Sequence, residues 1–145
     1  MLRPKALRTG DAVAVVAPSG GLEKDEAPLL ERGVGTLEGM GFVVRLSPLV
    51  DLDRGWWWAA ASPAEVAEDL NRHLRDPDVR ALFSLTGGRM ALSYLDLIDG
   101  EAVRADPKPV LGMSDISALH LALHARTGLV SLHSDLVTFG FGEWN

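Results

Sequence analysis

A parallel α/β sheet with helices on both faces is the fold this sequence predicts, on three observations. Short apolar runs rich in β-branched residues recur along the chain. Each is too short for a buried helix and is bounded by Gly, Pro, Ser or Asp. Between them lie longer stretches with helical periodicity, so the order reads βαβαβαβαβ with short connections. Strands joined by helical crossovers pair in parallel and bury both faces of the sheet, giving the three layers of Rossmann-like and flavodoxin-like domains. At 145 residues and 47% hydrophobic, the chain is expected to form one domain, residues 1–145, with a sizeable core.

The elements follow in order. Ala12-Val13-Ala14-Val15-Val16-Ala17 reads as a buried strand that stops at Pro18-Ser19-Gly20-Gly21. Glu26 to Glu38 can form a helix, weakened by Gly33 and Gly35 and ended by Gly39-Met40-Gly41. Phe42 to Leu46 is a second strand, and 47–62 a long loop holding Trp56-Trp57-Trp58. Ser62-Pro63-Ala64-Glu65 is a helix start: Ser caps, Pro takes the first helical position and Glu65 closes a capping box. Val66, Leu70, His73 and Leu74 then share one face, while Glu65, Glu68, Asp69 and Arg72 read as a solvated one. Asp76-Pro77-Asp78 stops this helix, and Val79 to Ser84 is the third strand. The loop Thr86-Gly87-Gly88 leads to a short helix over Met90 to Ile98. Lys108 to Gly112 is the fourth strand, Ile116 to Arg126 a helix closed by Gly128, and Leu129 to Leu132 the fifth strand.

Composition excludes several functions. Fourteen Lys and Arg against 20 Asp and Glu give a net charge of −6, which lacks the cationic footprint of a nucleic-acid or anionic-membrane binder. The absence of cysteine removes disulfides, thiolate zinc sites and a thiol nucleophile. No run nears the roughly 18 apolar residues of a membrane span. Met1-Leu2-Arg3-Pro4-Lys5 is not followed by a signal-peptide core, so a cytoplasmic location is expected.

In parallel sheets, ligands bind beyond the carboxyl ends of the strands. Three segments fall there: 18–21, 85–88 and Gly112-Met113-Ser114-Asp115. Ser114 sits between a strand and a helix, where a sharp turn lifts a hydroxyl above the sheet. The same turn aims the Asp115 amide at a developing oxyanion. The competing reading makes Ser114 an ordinary helix N-cap. The glycines of Thr86-Gly87-Gly88 permit close backbone approach to a ligand oxygen, or simply a tight turn. Their spacing matches neither a dinucleotide fingerprint nor a phosphate loop, so no NAD or ATP is expected. His120 and His124, four apart, could share a metal, but Leu121-Ala122-Leu123 lacks the glutamate of the zinc-hydrolase motif, so histidines at the edge of a buried face are the plainer reading. His133 lies at the ligand end of the sheet. Adjacent tryptophans 56–58 cannot all face one core, which suggests either a contact surface or irregular packing beneath a long loop.

These segments, in this order, resemble the N-terminal domain of the LD-carboxypeptidase family of serine peptidases, which includes murein tetrapeptide carboxypeptidases and microcin C immunity peptidases. Residues 10–20, 67–71, 76–83 and 127–130 carry part of the similarity, and Lys108 to His120 the most specific part. The resemblance implies Ser114 as nucleophile, with an oxyanion hole from the Asp115 amide and the Gly87-Gly88 loop. It implies a Ser-His-Glu triad, no metal or cofactor, and a peptide or peptidyl-conjugate substrate. Here Gly88 runs directly into Arg89-Met90-Ala91, without the aromatic residue and the small or polar run usual in the family. Family members draw His and Glu from a C-terminal domain that these 145 residues do not match, and no histidine here stands in a matching motif. The leading expectation is therefore the nucleophile-bearing half of a serine carboxypeptidase, inactive alone. Its apolar domain-boundary surface would then favour self-association. The alternatives are a non-catalytic ligand- or subunit-binding module and, more remotely, a metal hydrolase.

Overall fold

The computed structural model describes residues 1–50 and 58–143; Trp56 and Trp57 lie outside them. Five strands form one sheet: β1 (Ala12–Val16), β2 (Val43–Leu46), β3 (Val79–Ser84), β4 (Val110–Gly112) and β5 (Leu132–His133). Their order is β2-β1-β3-β4-β5, and every pairing is parallel, as the alternation predicts. The chain steps from β1 outward to β2, then back past β1 to β3. That reversal opens a crevice at the carboxyl ends of β1 and β3.

The four α-helices are α1 (Ala27–Gly39), α2 (Pro63–Arg75), α3 (Gly100–Ala105) and α4 (Ile116–Thr127). Right-handed crossovers in opposite directions place α1 on one face of the sheet and the others on the second. There α3 packs against both α2 and α4. On the first face, residues after β5 lie along α1: Arg32 Nε donates to the Gly142 carbonyl at 2.8 Å and Thr36 Oγ1 to that of Phe141 at 2.9 Å. Phe141 meets Phe83 of β3 edge-on at 5.7 Å. β1 is buried from Val13 to Val16 because it lies between β2 and β3 under both layers.

The α2 start is built as its sequence predicts. Ser62 Oγ accepts from the Glu65 amide, and the Glu65 carboxylate accepts from the Ser62 amide. Val66, Leu70, His73 and Leu74 are all buried. Asp69 is not solvated: it is 5% exposed, accepts from Ser47 Oγ at 2.6 Å and pairs with Arg72. Ser47, just after β2, reaches α2 and covers that carboxylate. At the other end, fully buried Lys108 donates to the His73 and Asp76 carbonyls, and so closes the last turn of α2.

Three expected elements differ. Residues 90–98 form two 3₁₀ turns, Ala91–Ser93 and Leu95–Leu97, not one helix. Tertiary bonds hold this segment: the Met90 and Ala91 amides donate to Asp115, and buried Tyr94 donates its hydroxyl to the Pro18 carbonyl at 2.6 Å. The crossover helix is instead α3, unforeseen because it begins at a glycine; Asp99 caps it through the Ala102 amide. The last strand is Leu132–His133 rather than 129–132, since Leu129 and Val130 are drawn to the N-terminus. Leu129 bridges Leu2, and the Val130 amide donates to the Leu2 carbonyl at 2.9 Å. Among the described residues, no helix is long and apolar enough to cross a membrane.

Candidate active site

β4 ends at Gly112 and α4 starts at Ile116, so the chain must reverse within three residues. Ser114 takes the strain. With φ at +61°, it is the one non-glycine residue in the left-handed region among those described. That conformation is uncommon for a residue carrying a Cβ and concentrates at functional turns. Its side chain is exposed, and its hydroxyl makes no hydrogen bond among the described residues. The N-cap reading of Ser114 therefore does not hold.

The glycine loop lies against this turn. A Cβ on Gly87 would come within 3.2 Å of both Cβ and Oγ of Ser114, so glycine leaves room for the hydroxyl. A Cβ on Gly88 would strike Ser19 Oγ and sit 2.6 Å from the Gly20 nitrogen. Gly20 is itself tied to the loop, its amide donating to the Gly87 carbonyl at 2.6 Å. No hydrogen bond among the described residues occupies the amide of Gly88 or of Asp115.

Thr86, Gly87, Gly88 and Ser114 line one cavity of about 360 Å³. Four of its other walls, Leu136, Phe139, Glu23 and Glu26, were not foreseen from the sequence. Leu136 and Phe139 enter from the segment after β5, which crosses the strand ends: the Val137 amide donates to the Ser84 carbonyl at 3.0 Å and the Thr138 amide to that of Leu85 at 3.1 Å. Glu23 and Glu26 also line it, joined where the Glu23 amide donates to the Glu26 carboxylate at 3.0 Å across the 3₁₀ turn Lys24–Glu26. Gly21 and Met113 also line it, and both lie in segments that the sequence places at strand ends.

None of the four histidines hydrogen-bonds Ser114 Oγ. His73 is buried on the inner face of α2, and His124 Nδ1 lies 3.1 Å from the Leu129 carbonyl. His133 lies within β5 and is exposed. His120 is half-buried, with Nε2 unpartnered. His120 and His124 gather no third ligand: among the described residues, no three His, Asp or Glu side chains cluster to hold a metal ion.

Burial, with His133 nearby, lowers the His120 pKa to about 4. Below about pH 6.5 the unfolded chain therefore takes up a proton that the folded chain refuses until about pH 4. Stability is full above that window and falls as pH drops through it. Allowing for solvent screening of a half-exposed ring, the loss is about 1–2 kcal/mol. Burial lowers His73 in the same sense. Urea unfolding at pH 7 and pH 5 should show a smaller pH-dependent loss in His120→Gln than in the parent; equal losses would refute the assignment.

A parallel sheet whose switch-point crevice holds a serine on a left-handed strand-to-helix turn, beside a glycine loop, defines an α/β domain with a candidate site at its ligand end. The chain belongs to the LD-carboxypeptidase family, whose N-terminal domain model matches residues 13–134. It is 33% identical over 140 residues to a Bacillus subtilis protein named "Probable murein peptide carboxypeptidase", covering 97% of this chain and 42% of that one. The solved wild-type apo structure of the microcin C7 self-immunity protein MccF superposes with a TM-score of 0.93 at 27% identity, covering 99% of this chain and 42% of that one; the protein is known from Escherichia coli. An MccF-like protein from Bacillus anthracis gives 0.89 at 31% identity, covering 99% and 43%. The chain thus spans less than half the length of the relatives it matches.

Proposed function

We propose that this chain supplies the nucleophile and oxyanion hole of a serine-type carboxypeptidase. The observation that carries the reading is the positive φ of Ser114, which presents an unbonded hydroxyl to the cavity at the switch point. In the proposed reaction, Ser114 Oγ attacks the carbonyl carbon of an amide near a peptide C-terminus. Its proton passes to a general base, and the carbonyl oxygen gains the charge. The amides of Asp115 and of the glycine loop at Gly88 receive that oxygen. On collapse the C–N bond breaks and the departing amine takes the proton from the base; water, deprotonated by the same base, then attacks the acyl carbon and releases the acid, and Ser114 Oγ regains its proton. The resemblance assigns the base and its orienting carboxylate to His and Glu of the family's C-terminal domain. Structures of MccF are described in complex with glutamyl sulfamoyl guanosine and aspartyl sulfamoyl adenosine. A peptidyl conjugate is therefore as good a substrate class as a murein peptide.

The test is labelling with a fluorophosphonate probe, followed by peptide mapping. The adduct is expected on Ser114 and absent from Ser114→Ala. Labelling confined to other serines would overturn the assignment.

A further inference from the structure

We propose that the Asp115 side chain is a positioning residue that latches the glycine loop onto the serine turn and so sets the Gly88 half of the oxyanion hole. The proposal rests on Ser114 being the nucleophile. One carboxylate oxygen, Asp115 Oδ2, accepts three hydrogen bonds: from Ser19 Oγ at 2.5 Å, the Met90 amide at 2.8 Å and the Ala91 amide at 2.8 Å. Those donors come from two other parts of the chain, the loop after β1 and the segment leaving the glycine loop.

An aspartate at the start of a helix ordinarily caps that helix through its side chain. Asp115 occupies the N-cap position of α4, but its side chain accepts none of the helix amides. Its charge acts between loops instead, where hydrogen bonds to an ionised acceptor are roughly twice as strong as neutral ones. Only Arg89 separates Gly88 from the Met90 amide, so fixing Met90 leaves Gly88 little freedom. The loop has no α-helix of its own to hold it, because 3₁₀ turns follow. One residue thus serves the hole twice. Its amide is a donor in its own right, and its carboxylate places the second donor.

The experiment measures fluorophosphonate inactivation kinetics of Ser114 in the 145-residue chain, well below its melting temperature, for the parent, Asp115→Asn and Ser19→Ala. Misplacing one oxyanion donor should lower the maximal phosphonylation rate of Asp115→Asn by about 100-fold with the half-saturating probe concentration unchanged. In the phosphonylated parent, the Gly88 amide proton should move downfield, and that shift should be lost in the variant. Ser19→Ala removes one donor of three, and should give a smaller rate loss at a near-parental melting temperature. It decides the matter if Asp115→Asn does not fold. Unchanged rates, or a change confined to probe affinity, would overturn the latch. If the parent does not label, as a serine without its base would not, amide exchange decides the latch. Loss of Met90 and Ala91 protection in Asp115→Asn supports it, and retained protection refutes it.

Discussion

The 145-residue chain alone is expected to hydrolyse peptide amides with no more than the residual advantage left when a triad loses its base, about 10³–10⁴ over water. Enzymes of ordinary competence turn over at roughly 1–10³ per second. The expectation comes from geometry. A serine hydroxyl is a weak nucleophile until a base within hydrogen-bond reach takes its proton. All four histidines lie among the described residues, and none bonds Ser114 Oγ. What remains is the turn, the cavity and two amides with no hydrogen bond among the described residues, which on the proposed reading receive an oxyanion but do not generate the attacking oxygen. Amino-acid release from a peptide, followed by mass spectrometry with Ser114→Ala as background, checks this. Turnover near one per second that disappears in Ser114→Ala would place the base within these residues and sink the expectation.

Lys108→Ala is expected to be the most damaging single change away from the site, costing about 3–5 kcal/mol. The ammonium is fully buried, donates to the His73 and Asp76 carbonyls, and lies 3.6 Å from an Asp106 oxygen. Removing it leaves the His73 carbonyl without a donor at the end of α2, leaves the Asp76 carbonyl with only the Val79 amide at 3.2 Å, and deletes an aliphatic stem from a packed interior. Lys108→Met separates the two effects, because it keeps most of the stem and loses only the donor. Its expected cost is smaller, about 2–3 kcal/mol. Asp106 is less exposed to the change, since Arg80 holds it at 2.9 Å. Urea unfolding of both variants tests the pair; a loss below about 1 kcal/mol in Lys108→Ala would show that water replaces the ammonium.

Much of the fold was legible because its signals are local. The β-branched runs at Ala12–Val16 and Val79–Ser84, and the capping box at Ser62 and Glu65, depend on residues within one turn or one strand of each other. Parallel pairing followed from the alternation of elements. The misreadings share one cause, a partner remote in sequence. Residues 90–98 have helical composition, but Asp115 and Pro18 compete for their donors. Leu129 and Val130 look like a strand, but Leu2 takes their pairing. Asp69 has the periodicity of a solvated face, yet Ser47 covers it.

The candidate site divides the same way. Sequence alone determined that a serine follows the fourth strand and a glycine pair follows the third, because strand, turn and helix onset are written in adjacent residues. It also determined that both segments reach the ligand end of a parallel sheet. Tertiary structure decided that Ser114 adopts a left-handed conformation with a free hydroxyl, that Leu136 and Phe139 wall the cavity, and that the Asp115 side chain bonds two loops rather than its own helix. Those outcomes depend on which distant backbone and side-chain groups the sheet order brings within 3 Å. No local propensity encodes that choice.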